Sequence, residues 1–321
     1  MVGILILVVL FKLLLYFLGH TDSGDYDSSI LLSIPTTTLW SGLLSGVVII
    51  LLGILILLII DKYTRFSYWQ VLIFTLLLSH HNFYGFTTEY IGLLALILSQ
   101  YFLFKDIASK GKNSYVNNIF NLAIILGIGS MFTPHLLFLI PYFWISSLTI
   151  GVAPFRGLLA LILGSTLPCV FTDSCIFIFQ GENAQFKYQL LIDELQQKTN
   201  NIQFIISNLE QIYLAIPFIL LIISLISTLS KTDSNKSVSR KFNTINIILI
   251  VYTIIIIAFQ LMPIHLGGLI LSCPITYFLT TYLNNAKPTN QIINLVILLL
   301  SIFISYPVVI NSIVSLIETI F

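Results

Sequence analysis

Residues 119–171 read IFNLAIILGIGSMFTPHLLFLIPYFWISSLTIGVAPFRGLLALILGSTLPCVF and carry one charged side chain, Arg156. An α-helix needs about 20 mostly apolar residues to cross the hydrocarbon of a bilayer, and fewer where protein shelters its ends. The stretch therefore predicts three consecutive membrane spans, at 117–131, 135–150 and 154–171.

The rest of the chain has the same character. Of its 321 residues 57% are hydrophobic and 8% are charged, and the mean hydropathy is +1.01. This leaves too few polar side chains to coat a water-soluble globule. We predict an all-α polytopic transmembrane helix bundle of about eleven spans. The further predicted spans lie at 2–18, 39–60, 66–78, 88–104, 212–229, 245–261, 266–283 and 291–310.

The distribution of charge between the loops predicts the topology. Lys and Arg collect on the cytoplasmic side of short loops. With the N-terminus inside, the outer loops hold only two basic residues, Lys187 and Lys198, whereas most acids fall outside. We therefore predict a cytoplasmic N-terminus, a periplasmic C-terminus and an acidic outer face.

The organisation along the chain is predicted in three parts. Residues 1–230 form a main bundle of eight spans, and an amphipathic segment at 173–211 lies at the outer interface. Residues 231–244, rich in Ser, Lys and Asn, form a cytoplasmic linker. Residues 245–321 form a C-terminal unit of three spans.

Ionisable residues at the outer ends of spans are the candidates for chemistry. Asp22 and Asp25 follow the first span, where they could hold a divalent cation or act in general acid/base catalysis. The five histidines all lie at outer span ends, and they are His20, His80, His81, His135 and His265. The alternative for each residue is an interfacial role without chemistry. Lys12 is predicted inside the hydrocarbon, or snorkelling towards an interface.

Several classes of function find no support. The net charge of +1 and the lack of a basic block give no reason to expect nucleic acid as a partner. The sequence has no P-loop, nucleophile elbow, HExxH or CxxC motif. Three cysteines without regular spacing form no disulfide framework.

Residues 119–171 resemble an uncharacterised family of multi-pass inner-membrane proteins of Bacteroidota. The residues that carry the likeness are Gly127, Pro134, Arg156, Gly164 and Pro168. The resemblance covers roughly the first 180 residues and implies a bacterial inner-membrane location. It implies no activity.

The topology is also similar to that of membrane glycosyltransferases of the GT-C type, which use a polyprenyl-phosphate sugar at the outer face. That likeness implies that Asp22 or Asp25 takes a proton from an acceptor hydroxyl or holds a divalent cation. His80, His81 or Lys187 would meet the lipid phosphate, with His265 as a further candidate. The outer face has no arginine, although arginine is the side chain best suited to phosphate, and this departs from the pattern.

These patterns favour an inner-membrane protein of envelope biogenesis, with a GT-C-like glycosyltransferase as its most concrete form. The first alternative is a scaffolding subunit that binds other envelope membrane proteins. A transporter is the third hypothesis, because Lys12 and the proline-kinked helices would suit one. Membrane lipid is the expected environment in each case.

Overall fold

The computed structural model describes residues 39–63, 73–74, 77, 88–108, 115–152, 154–180, 219, 221–226, 237–285, 291 and 296. Within these residues the regular structure is helical, and none of it is β-strand. The α-helices are α1 (Leu39–Tyr63), α2 (Thr88–Ala108), α3 (Tyr115–Phe132), α4 (Ile140–Ile150), α5 (Pro154–Gln180), α6 (Ser237–Ala258) and α7 (Ile264–Asn285). A 3₁₀-helix at Pro134–Leu139 joins α3 to α4.

The all-α prediction is confirmed for this part of the chain, which has the helices of a membrane protein. Four helices in the described ranges are long and apolar enough to cross a bilayer, and the spans that they offer are Tyr115–Phe132, Pro154–Cys175, Arg240–Ala258 and Leu266–Asn284. Shorter apolar helices occupy Leu44–Ile56 and Pro134–Ile150. The predicted spans at 2–18, 66–78, 212–229 and 291–310 lie wholly or largely outside the described residues.

Two predicted boundaries differ from the helices observed. α5 continues to Gln180, so residues 173–180 extend this helix where the outer amphipathic segment was expected to begin. No glycine or proline interrupts 169–180, and the next glycine is Gly181. α6 begins at Ser237, inside the predicted linker at 231–244. The division of the chain into three parts stays a prediction.

The chain separates into two compact units. The first contains residues 1–87, 204–233 and 272–321, and the second contains residues 88–203 and 234–271. In the first unit, one side of α1 is buried and another is exposed. Ile49 and Leu52 are buried, whereas Val47 and Leu51 are exposed. The second unit holds most of the described helices.

Small residues bring α3 close to both of its neighbours. A Cβ atom added at Gly129 would lie 2.4 Å from the Cβ of Ala95 on α2, and one added at Gly164 on α5 would lie 2.6 Å from the Cβ of Ala123. At Gly127 the added atom would lie 2.5 Å from the carbonyl oxygen of Ser165. In lipid, helices associate chiefly through such close packing, because apolar burial drives association only weakly there.

The turn after α3 is set by a proline. Thr133 precedes Pro134 and has φ −133° and ψ 86°, which is outside the helical region. The proline ring disfavours the helical conformation of the residue before it, so α3 ends and the chain restarts as a 3₁₀-helix. The hydroxyl of Thr133 donates to the carbonyl oxygen of Thr88 at 3.3 Å, which ties this turn to the first residue of α2.

α6 packs against α4 and α2, and α2 also contacts α4. The rings of Phe104 on α2 and Phe242 on α6 lie 4.4 Å apart, near the end of one helix and the beginning of the other. The Tyr252 hydroxyl, further along α6, donates to the carbonyl oxygen of Phe138 at 2.8 Å. Phe138 lies just before α4 and just after the turn that is tied to the start of α2. The later part of α6 therefore lies beside the starts of α2 and α4, and α6 runs antiparallel to both.

One side of α5 carries a row of exposed apolar side chains. The exposed residues are Phe155, Leu159, Leu163, Leu167, Val170 and Phe171, whereas Leu161, Gly164 and Ser165 are buried. A surface of this kind is unsuited to water and matches hydrocarbon. The hydroxyl of Thr166, on the exposed side, donates to the carbonyl oxygen of Ile162 at 2.8 Å, so its polarity is satisfied within the helix.

We predict that Gly164→Leu destabilises the second unit by about 1–3 kcal/mol, the range expected when a well-packed interior is overfilled. The larger side chain would have to displace the backbone of α3 at Phe120, whose carbonyl oxygen would lie 2.8 Å from the new Cβ. Thermal unfolding of the protein in detergent measures the loss. Leu163→Ala, at the exposed neighbouring position, is the control and should change stability by less than about 0.5 kcal/mol. Equal effects of the two changes would contradict the packing argument.

The ends of α4 and α6 form the same capping motif with different residues. At α4, Gly151 has φ 97° and its amide donates to Leu148, while the Val152 amide donates to Ser147. At α6, Gln260 takes the left-handed position with φ 59°. Its amide donates to Ile257, and that of Leu261 donates to Ile256. Glycine adopts this conformation readily, whereas a residue with a Cβ is strained in it.

We therefore predict opposite effects of two changes at equivalent positions. Gly151→Ala should destabilise the protein and Gln260→Gly should stabilise it, each by about 1 kcal/mol, because left-handed φ costs a side-chain-bearing residue about that much. A Cβ added at Gly151 would meet nothing within 4 Å, so the expected loss there is conformational. Apparent melting temperatures in detergent provide the measurement. Changes of the same sign at both positions would be inconsistent with this account.

Candidate functional site

Most of the side chains predicted for chemistry lie outside the residues that the structure describes. These are Lys12, Asp22, Asp25, His80, His81 and Lys187. The backbone of His265 is described and lies in the first turn of α7. Their catalytic, lipid-phosphate and metal roles therefore stay predictions, as does the intramembrane position of Lys12.

The second unit does bring other ionisable residues to one end, here called the acid–histidine end and defined by Glu89, His135 and Asp173. Glu89 is in the first turn of α2, and His135 is in the 3₁₀-helix. The Thr133–Thr88 hydrogen bond joins these two segments. Asp173 follows Thr172, whose hydroxyl lies 3.6 Å from the Met131 sulfur near the end of α3.

Contacts of a thiol and of an aromatic ring hold the helices together near this end. The Ser130 hydroxyl lies 3.7 Å from the Cys169 sulfur, and it also donates to the carbonyl oxygen of Gly127 at 2.7 Å. The His135 ring has its centroid 6.4 Å from that of Phe138. The acid–histidine end is therefore held by contacts among α2, α3, the 3₁₀-helix and α5, and does not depend on a single loop.

Basic residues gather at the opposite end of the same unit, here called the basic end and defined by Lys105, Arg156 and Arg240. Lys105 is in the last turn of α2, and Arg156 and Arg240 are near the beginnings of α5 and α6. The side chains of all three are exposed. The contact between the rings of Phe104 and Phe242 holds α2 and α6 together at this end. Asp106, also in the last turn of α2, is an acid placed at this end.

Between the two ends, the interior holds uncharged polar side chains that the sequence reasoning passed over. Gln100 on α2, Ser146 on α4 and Asn246 on α6 are 4%, 0% and 4% exposed. We call these three residues the polar layer. For Gln100 and Asn246 the sequence does contain a signal, because carboxamide side chains are unusual within otherwise apolar helices. Buried polar groups are costly in a membrane and therefore mark functional or packing positions.

The chemistry that the acid–histidine end could perform is proton transfer and recognition of polar headgroups. A carboxylate accepts a proton or a hydrogen bond, and an imidazole does either near neutral pH. Among the described residues, no group of three His, Cys, Asp or Glu side chains could hold a metal ion. The divalent-cation prediction concerned Asp22 and Asp25, which lie outside that part of the chain.

Comparison with known proteins places the chain in a family. A family model described as a family of unknown function (DUF6427) matches residues 30–314, which is most of the chain. No curated protein and no solved structure matches. The match agrees with the resemblance to an uncharacterised family, and it indicates neither an activity nor a taxonomic group.

The separation of the two ends predicts the result of labelling from either side of the membrane. In a variant whose three native cysteines are replaced, Asp173→Cys should react with an impermeant maleimide from one side, and Arg156→Cys should react from the other. Both positions lie on α5, and α5 rises along the span at about 1.5 Å per residue. Leu163→Cys, between them and facing lipid, should react slowly from both sides. Labelling of positions 156 and 173 from the same side would show that α5 does not cross the membrane.

Proposed function

The chain belongs to the DUF6427 family of unknown function, and we propose that it is an inner-membrane protein of bacterial envelope biogenesis that acts on a lipid-linked substrate at the outer face. The proposed topology has about eleven spans, a cytoplasmic N-terminus and a periplasmic C-terminus. In this topology the acid–histidine end faces outward and the basic end faces the cytoplasm.

The observation that carries the proposal is the grouping of Glu89, His135 and Asp173 at one end of the second unit, with the exposed basic residues at the other. The basic end supports the orientation, because Lys and Arg are retained on the cytoplasmic side. A carboxylate and imidazole rim at the outer boundary of the hydrocarbon is where a polar headgroup lies while its lipid tail stays in the bilayer.

The specific reaction that we propose is transfer of a sugar from a polyprenyl-phosphate carrier, as in glycosyltransferases of the GT-C type. Asp22 or Asp25 takes the proton from the acceptor hydroxyl or holds a divalent cation that stabilises the leaving phosphate. His80 or His81 assists in catalysis at the same face. Lys187 and His265 bind the lipid phosphate as donors.

Replacing Asp22 and Asp25 together by Asn tests this function. Asn keeps the size of each side chain but can neither take a proton nor supply a full negative charge to a cation. We expect the glycan product to fall about 100-fold or more, the lower range for the loss of a positioned acid or base. Mass spectrometry of envelope glycans and of accumulated lipid-linked sugars in cells gives the measurement.

The matched control is replacement of Asp27 by Asn, in the same segment but further from the first predicted span. It should leave the products unchanged. Normal products from the Asp22/Asp25 variant at normal protein levels would reject the glycosyltransferase. In that case, co-purification of other membrane proteins in mild detergent would favour the scaffolding subunit, and ion-coupled flux that depends on Lys12 would favour a transporter.

A further inference from the structure

The three residues of the polar layer lie on three helices that contact one another. α6 packs against α4 and α2, and α2 packs against α4. All three helices belong to the second unit.

The packing of aromatic rings places the polar side chains of α2 and α6 at the same depth. Gln100 is four residues before Phe104, and Asn246 is four residues after Phe242. Residues four apart lie on the same side of a helix. Since the rings of Phe104 and Phe242 are in contact and the two helices run antiparallel, Gln100 and Asn246 lie at the same depth on facing sides.

A second contact brings α4 to the same depth. The rings of Tyr142 on α4 and Tyr252 on α6 have centroids 6.4 Å apart. Ser146 lies one helical turn after Tyr142, towards the basic end. Because α4 and α6 are antiparallel, one turn towards the basic end on α6 reaches residue 248, which is within one turn of Asn246. Ser146 is therefore close to the depth of the other two.

The hydrogen bonds of these residues are incomplete. The side-chain nitrogen of Gln100 and the hydroxyl of Ser146 are buried and have no hydrogen-bond partner in this structure. The side-chain nitrogen of Asn246 donates to the carbonyl oxygen of Phe242 at 2.9 Å, which leaves its second N–H and its amide oxygen for other partners. Buried polar groups left without partners destabilise the folded protein.

We propose that the polar layer binds an ordered water molecule that joins α2, α4 and α6 inside the membrane. The chemistry of the three groups selects this ligand. A Gln100 amide donor, an Asn246 amide acceptor and a Ser146 hydroxyl that does either match water, which both donates and accepts. A metal ion would be repelled by the donating amide, and no carboxylate of the layer would compensate its charge. The inference does not depend on the proposed glycosyltransferase.

The site lies within the membrane-crossing part of the unit. Asn246 is in the span Arg240–Ala258, six residues from its first residue, which corresponds to about 9 Å along the helix. Water at this depth has no access to bulk solvent along the lipid side of α6, so it must be held by the protein. A water that satisfies three helices at once would add a polar constraint on their mutual register to that of the ring contacts.

A structure of the full-length protein in lipid nanodiscs, at a resolution that shows ordered water, tests the proposal directly. We expect a density peak within about 3.2 Å of the Gln100 nitrogen and the Ser146 hydroxyl. A direct hydrogen bond between Gln100 and Asn246 with no such peak would overturn the proposal. A peak with the short distances of a coordinated cation would overturn it as well.

Unfolding in the same nanodiscs provides an independent test. Gln100→Leu and Ser146→Ala should each lower the apparent melting temperature, by about 2–4 °C, as expected for a loss near 1 kcal/mol in a domain of this size. If a shared water links the two side chains, the melting temperature of the double variant should fall by less than the sum of the two single effects.

Thr253→Val is the matched control, since Thr253 is also buried on α6 with its hydroxyl unpartnered. Its effect should add to that of Gln100→Leu. Additive behaviour of Gln100→Leu with Ser146→Ala would overturn the shared site. A variant that fails to fold leaves the wild-type density to decide.

Discussion

The close approach of α3 to α2 and α5 is the constraint on which the second unit depends. At Gly127, Gly129 and Gly164 the neighbouring atoms occupy the space where a Cβ would be. In water, apolar burial would drive such an association. In lipid the exposed apolar side of α5 is already well solvated, so close van der Waals contact has to supply the attraction. Glycine supplies it by removing the side chain from the contact.

That packing explains why residues distant in the sequence reach the same end. Once α3 is fixed between α2 and α5, the turn at Thr133 and Pro134 lies beside the start of α2, and the Cys169–Thr172 region of α5 lies beside the end of α3. The location of Glu89, His135 and Asp173 at one end of the unit follows from these three contacts. The acid–histidine end is therefore a consequence of helix packing, with no loop of its own that assembles it.

Polarity within the unit is graded from the ends to the interior. Charged side chains occupy the ends, where headgroups and water solvate them. Hydroxyls such as that of Thr166 are satisfied by carbonyl groups of their own helix. The polar layer differs from both classes, because the Gln100 side-chain nitrogen and the Ser146 hydroxyl are buried and have no hydrogen-bond partner in their own helices. What distinguishes Gln100, Ser146 and Asn246 is that they lie at one depth on three helices that contact one another.

The sequence alone determined that the chain is helical and built for a membrane, because the hydrophobic length of a span and the breaks at Pro134 and Pro154 are local properties. It also indicated the segregation of charge along the chain, since adjacent loops alternate between sides. It could not indicate which side chains meet. The facing of Gln100 and Asn246, and the grouping of Glu89 with His135 and Asp173, required the register between helices. Small residues set the register of α3 with α2 and α5, and the ring contact of Phe104 with Phe242 sets that of α2 with α6. Contacts between helices far apart in the chain leave no periodic signal in a single sequence.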